Sequence, residues 1–336
     1  MRESFLKLAA CPMCGGTLNP RQTVRRHGEI VSSTLACKDG PHKYPVVKGR
    51  PLLLPKGAPQ RWVSPVDEAM GLAELPTVPP FSFPRLREMG LEAALTAVRE
   101  NKEGRRRTDP AEPWDATSLA DGDLPGKARY RLSGGWLSHR GRRHRLLRPL
   151  EELPKRVRCW VESVRDARPR RILDLASGGG GGIASILKGY QGAELICATE
   201  RDLRCTWAIQ SKARELGFQR MEAVGADVGR LPLRDGCFDA VTSLMALQEI
   251  LGMRDLSREV FRVLAPGGRW FALYAEPETW GEITTEAYMR FAREADMFGG
   301  HDALLRTAEK AGLRGETLER FARGPRTYHA VAFHKA

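Results

Sequence analysis

Five consecutive glycines, Gly178 to Gly182, stand between two apolar runs, Arg171 to Ala176 and Ile183 to Leu187. The first run is branched and apolar with a single acid, Asp174, which suits a strand buried on both faces. The second, through Ile183, Ala184, Ile186 and Leu187, reads as the start of a helix. Strand, glycine turn and helix N-terminus together make a corner for anions and nucleotides. Glycine lets the backbone approach a ligand with no Cβ in the way, and the free amides of a first helical turn attract negative charge. A flexible linker would not lie between apolar runs of these lengths.

Downstream, strand and helix patterns alternate. Strands are expected at Glu194–Thr199, Met221–Ala226, Ala240–Met245 and Arg269–Tyr274, with late strands at Gly315–Phe321 and Thr327–His334. Helices are expected at Asp202–Leu216, Leu256–Leu264 and His301–Ala311. This alternation implies an α/β fold with a doubly wound, parallel sheet. Glu200 falls at the tip of the second strand, 20 residues after Gly180. That is the separation at which an acid reaches the hydroxyls of a bound ribose, and a carboxylate accepts two hydrogen bonds at once. Asp227, just past the third strand, is placed to accept from an adenine amino group. Gly179-x-Gly181-x-x-Ala184 also fits the dinucleotide fingerprint, a match that any run of glycines makes easily. No Lys-Ser/Thr follows the glycines, which excludes a triphosphate loop.

The pieces ILDLASGGGG, ATERD, GADVGRLPLRDGCFDAV and VLAPGGRW, in that order, resemble the class I S-adenosylmethionine-dependent methyltransferases from about Tyr130 to the end. The resemblance implies a Rossmann-like, seven-stranded methyltransferase domain with S-adenosyl-L-methionine as cofactor. It assigns Asp174, Ser177, Gly178 and Gly180 to the loop beside the methionine part, Glu200 to the ribose and Asp227 to the adenine. Ala176 stands where the family has its first glycine, and glycines at 181 and 182 cost helix stability. Ser243 to Ile250 follows strand four, where the family places substrate-facing groups. Gln248 and Glu249 are the catalytic candidates there, with Tyr274 and Glu276 behind them. There is no Asn-Pro-Pro-Tyr, and Cys205 and Cys237 read as small buried residues rather than nucleophiles.

Residues 1–55 form a separate small unit. Cys11-Pro-Met-Cys14 is a knuckle able to wrap two thiolates around a zinc ion; Cys37 follows after 22 residues and His42 five positions later. Strands at Glu29–Ala36 and Tyr44–Val47 would carry the second pair. So small a unit buries little apolar surface, and a metal cross-link is the natural way to hold it. Asp39 competes with His42 for the fourth place, and an apo fold with free thiols is the alternative. CPMCGGTL and LACKDGPHKYPVVKGRPLLLP resemble the small zinc-ribbon subunit that partners RNA and protein methyltransferases, and the ribbon that heads ribosomal RNA guanine methyltransferases. That family's usual second knuckle is Cys-x-x-Cys; Cys37 and His42 depart from it.

Between them, residues 56–129 read as a Pro-rich, basic connector with one helix at Arg85–Glu103, and residues 130–336 as the methyltransferase domain. Val157, Trp160, Val161 and Val164 recur at helical spacing after Leu150 and Leu153, so Trp160 is expected in the core. Lysine and arginine number 54 against 41 acids, a net charge of +13. That excess suits an acidic partner, or an unspecialised solvated surface. With arginines interleaved among Trp136, His139 and His144, segment 139–158 is expected to bind RNA. Seven cysteines, a short charged start and no membrane-length apolar run suggest a reducing cytoplasm and no membrane. The expected activity is methyl transfer to ribosomal or transfer RNA. One alternative is a small-molecule acceptor, because the strand-four segment looks like the quinone and natural-product branch; the other is a binding protein of this fold without chemistry.

Overall fold

The structure is a computed structural model. It describes residues 1–54, 155–178, 180–187, 192–201, 217–247, 252–277, 285–323 and 326–336, with three short strands between 131 and 145 and isolated positions elsewhere. Gln248 and Glu249 lie outside the described residues, as does nearly all of 56–129. Of the helix expected at Arg85–Glu103, positions 92, 93 and 96 are described and are helical.

The N-terminal unit is a short helix, α1 (Glu3–Leu6), and a four-stranded antiparallel sheet in the order β1 (Leu18–Arg26), β2 (Glu29–Cys37), β3 (Lys43–Val47), β4 (Arg50–Pro51). Two tight turns set its register. His27-Gly28 joins β1 to β2 and Lys48-Gly49 joins β3 to β4, each with both residues at positive φ. Two-residue turns of that hand match the twist of an antiparallel pair.

A second antiparallel sheet follows, β5 (Arg131–Ser133), β6 (Trp136–His139) and β7 (Arg142–Arg145). Segment 139–158 therefore begins in a hairpin and ends in helix α2 (Lys155–Asp166). Trp160 on α2 is fully buried against Ile172, Ile196 and Phe271, as its spacing implies.

The remainder is a seven-stranded sheet. Its strands are β8 (Arg171–Asp174), β9 (Leu195–Glu200), β10 (Met221–Gly225), β11 (Phe238–Leu244), β12 (Leu264–Ala275), β13 (Leu313–Arg323) and β14 (Arg326–Lys335). They are ordered β10-β9-β8-β11-β12-β14-β13, and β14 alone runs antiparallel to its neighbours. Among the described residues the connecting helices are α3 (Gly181–Leu187), α4 (Met253–Val263), α5 (Thr285–Ala295) and α6 (His301–Lys310), and positions 206, 209, 210, 213 and 214 of the helix expected at Asp202–Leu216 are helical. The fold class is as expected: a Rossmann-like, mostly parallel sheet beside a small antiparallel one. Strand order reverses between β8 and β11, so the ligand crevice lies beyond the C-terminal ends of the central strands.

Some boundaries differ from expectation. Helix α4 starts at Met253 rather than Leu256, because its buried stripe is Met253, Leu256, Val260 and Val263. The strand expected at Arg269–Tyr274 leaves Ala265 to Gly268 outside it. Instead β12 begins at Leu264 and accommodates those residues as a bulge, since Phe238 pairs with Leu264 and Ala240 next with Arg269. Gly268 is needed there: a Cβ would sit 2.8 Å from the Ala265 carbonyl oxygen.

The two sheets share one apolar core. Phe5, Leu18, Ile30 and Leu35 pack in continuity with Leu231, Leu233 and Phe238. Backbone bonds tie them further: Ala10 N to Pro232 O at 3.0 Å, Arg234 N to Leu8 O at 2.8 Å and Leu53 N to Gly225 O at 2.8 Å. The Arg2 amide and guanidinium both donate to buried Glu222 on β10, at 2.9 and 3.0 Å.

Candidate active site

The glycine corner is built as its sequence implies. Asp174 ends β8 only 2% exposed. Its Oδ1 accepts from the Thr242 hydroxyl of β11 at 2.7 Å, while its carbonyl accepts from Thr199 and Ser177 at 3.0 and 3.1 Å. Burial pushes the Asp174 carboxyl up to about 6, against the opposing hydrogen bonds of Ser177 and Thr242. Past the strand the chain turns through positive φ at Ala176 (46°), Gly178 (51°) and Gly180 (77°). Ala176 is thus a departure with a cost, since a Cβ in that region is strained by about 1 kcal/mol. Gly182, a cost to the helix, proves to be a packing requirement. A Cβ there would stand 2.9 Å from Leu244 Cδ2 and 3.1 Å from Leu244 Cβ, so this glycine sets how closely α3 meets β11.

Glu200 ends β9 and leans over this bend. One carboxylate oxygen accepts from Gly178 N at 2.7 Å, the other from Arg201 N at 2.6 Å. Ala226 N, at the end of β10, donates to the Glu200 carbonyl at 3.0 Å, which sets Asp227 beside it on the next strand tip. Asp227 accepts from Gly229 N at 2.9 Å and so closes its own turn. Asp174, Ser177, Gly178, Gly180, Glu200 and Asp227 are therefore gathered along one edge of three adjacent strands.

A second polar group occupies the same edge two and three strands away. Tyr274 near the end of β12 pairs in register with His329 of β14. Glu276 follows β12, and His301 opens α6 after Gly300. His329 Nε2 is 3.0 Å from Glu276 Oε1, and the His301 amide donates to that same carboxylate at 3.1 Å. The Tyr274 hydroxyl meets His301 Nδ1 at 2.8 Å, while Thr317 Oγ1 lies 3.3 Å from His301 Nε2. The two imidazoles stack with centroids 4.1 Å apart. Burial, and then the neighbouring His329, lowers the His301 ring below its ordinary value; burial pushes the Tyr274 phenol above its own. His301 and His329 escaped the sequence reading. They lie on separate elements, and only the reversed strand brings them to Tyr274 and Glu276.

In the N-terminal unit the four expected ligands converge. Cys11 Sγ is 3.3 Å from His42 Nδ1, Cys14 Sγ is 3.4 Å from Cys37 Sγ and 3.7 Å from His42 Nδ1, and all four donor atoms fall within 4.8 Å of one another. A tetrahedral zinc ion with three sulfurs and a nitrogen would separate its ligands by about 3.6 Å, so the donor set fits. Asp39 is not among these donors; its Oδ2 accepts from Thr17 N at 3.3 Å. Glycine makes the room: a Cβ on Gly16 would lie 2.9 Å from Cys37 Sγ, and one on Gly40 would lie 3.0 Å from His42 Nδ1. The Tyr44 hydroxyl backs Cys11 Sγ at 3.3 Å. Cys237 is buried and donates to the Arg234 carbonyl at 2.9 Å, in keeping with a small core residue; Cys205 lies outside the described residues.

The knuckle also touches the cofactor edge. Arg230 donates from its guanidinium to the Met13 carbonyl at 3.0 Å and from its backbone amide to the Asp227 carbonyl at 3.1 Å. A cleft of about 730 Å³ opens alongside, lined by Pro12, Met13, Arg230, Arg234 and Arg262. Its arginines are engaged internally: Arg234 with Thr17, Arg262 with Glu259 and Asp235.

Comparison with known proteins bears on the larger sheet. The chain is 33% identical over 141 residues to the demethylmenaquinone methyltransferase of Thermus thermophilus, covering 42% of this chain and 63% of that protein. It is 32% identical over 154 residues to the malonyl-[acyl-carrier protein] O-methyltransferase of Halorhodospira halophila, covering 44% and 51%. The ubiquinone/menaquinone biosynthesis C-methyltransferase UbiE of Acidiphilium cryptum matches at 28% over 201 residues, 52% of this chain and 79% of that one. The chain thus spans between half and two thirds of the first two relatives. Residues 173–272, from the end of β8 to the middle of β12, match the family model described as a methyltransferase domain.

Proposed function

We propose that the protein is an S-adenosylmethionine-dependent methyltransferase whose acceptor is a small molecule of the quinol or acyl type. The observation that carries this is the Glu200 carboxylate beside Gly178 N, at the tip of β9 and within the matched domain. When bound, S-adenosylmethionine supplies an electrophilic methyl group on a sulfonium. Glu200 would accept the ribose hydroxyls, Asp227 the adenine amino group, and the bend at Ser177, Gly178 and Gly180 would take the amino-acid end. The protein's task in such a displacement is to hold the acceptor in line and keep water away.

The acceptor expected from the basic segment was RNA. The relatives above are named for quinones and for malonyl-[acyl-carrier protein], which favours the small-molecule reading. The arginines nearest the knuckle bond inside the protein, so part of the positive charge is structural. In the N-terminal unit Cys11, Cys14, Cys37 and His42 would hold zinc, as a cross-link for a sheet too small to stand on apolar burial.

Calorimetry tests the cofactor assignment. Glu200→Ala should weaken S-adenosylmethionine binding about thirtyfold, the loss of one charged hydrogen-bonding group of about 2 kcal/mol; unaltered affinity rejects the ribose role. Labelled methyl uptake decides the acceptor, and incorporation into RNA alone would return the reading to the first expectation. No helix among the described residues is long and apolar enough to cross a membrane.

A further inference from the structure

We propose that Glu276 and His329 form a general-base pair for an acceptor that must lose a hydroxyl proton to be methylated, a hydroquinone or phenol. The inference rests on the methyl-transfer reading above and adds the residue that takes the proton.

The geometry assigns the parts. His329 and Glu276 are 5% and 7% exposed, and the bond between Nε2 and Oε1 places the imidazole hydrogen on Nε2. Nδ1 is then the basic nitrogen. It is buried and, among the described residues, has no hydrogen-bond partner. An unsatisfied buried acceptor costs about 1–3 kcal/mol, which a hydroxyl donated by a bound acceptor would relieve. His301 is already engaged: it takes the Tyr274 hydroxyl on Nδ1 and faces Thr317 with Nε2. The two rings stack at 4.1 Å, and the Glu276 carboxylate sits against His329. Asp302 on α6 and Arg320 on β13 are further charged groups acting on His301. Glu276 is the first residue past β12 and His329 lies on β14 level with Tyr274, near the end of the strand whose Leu273 carbonyl accepts from Met245 N where β11 ends. The pair therefore shares the ligand edge with the glycine corner.

The step balances as follows. The hydroxyl proton passes to Nδ1, directly or through one water. The oxyanion's electron pair moves into the ring, a ring carbon bonds to the methyl carbon, and the methyl–sulfur bond breaks with its pair left on sulfur. The ring carbon then gives up its hydrogen as a proton to solvent, and His329 returns the first proton to the oxygen. One proton is released for each methyl transferred.

Two measurements on the full chain test this. Nitrogen-15 spectra of the cofactor-bound protein should show His329 with hydrogen on Nε2 and none on Nδ1 near neutral pH; hydrogen on Nδ1 overturns the proposal whatever the protein methylates. With 1,4-naphthohydroquinone as probe, His329→Gln should lower kcat at least 100-fold near pH 7 with little change in KM for S-adenosylmethionine. That loss should shrink toward about pH 10, where a phenolic hydroxyl ionises unaided. Glu276→Gln, which preserves volume, should lose about tenfold with the same pH trend. A loss that is equal at every pH, or no loss, overturns the base. If the native protein transfers nothing to the probe, the acceptor class fails, and the nitrogen spectra decide the base by themselves.

Discussion

Among the described residues two clusters of ligating side chains stand apart, and they differ in the chemistry of their members. Around Cys11, Cys14, Cys37 and His42, three sulfurs and a ring nitrogen crowd together with Tyr44 as the one hydroxyl in reach. Around Tyr274, Glu276, His301 and His329, donors and acceptors alternate until a single nitrogen is left over. The first group offers a soft metal's donor set; the second is a chain of hydrogen-bonding partners. The two suit opposite ends because thiolates are soft metal ligands, while hydroxyl, imidazole and carboxylate can pass hydrogens along.

The hardest blow to that contrast is Cys11→Ser with Cys14→Ser. Bound zinc, by atomic emission, should fall from about one ion to under a tenth per chain. The N-terminal sheet should melt early, since such sites hold about 10 kcal/mol in isolated fingers. Stability and metal content both unchanged would mean that the thiols need no cation.

Asp174→Asn asks next whether the interior does favour kept protons. Its folded value of about 6 exceeds the ordinary 3.8, so the stabilising protonated form is complete below about pH 4 and lost as pH rises through 6. The native protein should therefore lose about 3 kcal/mol between pH 4 and pH 7 from this one group, and the variant should lack that slope in urea titrations. The smallest effect is expected from Tyr274→Phe. Removing the hydroxyl from His301 should cost about 1 kcal/mol and leave zinc content untouched; a change in metal would mean the two clusters are not independent.

The contrast also explains what could be read in advance. Cys11 and Cys14 share one turn, Cys37 and His42 flank another, and Glu200 sits at a fixed count from the glycines, so local spacing specifies each. Trp160 followed from helical period alone. His329 reaches Tyr274 because β14 pairs antiparallel with β12 across 55 positions, and no local pattern encodes that register. Gly182 looked like a flaw in a helix until its neighbour, Leu244, was known. The bulge at Ala265 to Gly268 is likewise a matter of which strand lies alongside.

Arg230 has a consequence for anyone trimming this chain. Its side chain grips the Met13 carbonyl while its backbone closes the turn begun by Asp227. Cutting away the first 55 residues would free that arginine, bare Leu231, Leu233 and Phe238 to water, and slacken the turn that carries Asp227. What looks like an appendage is a brace for that strand tip.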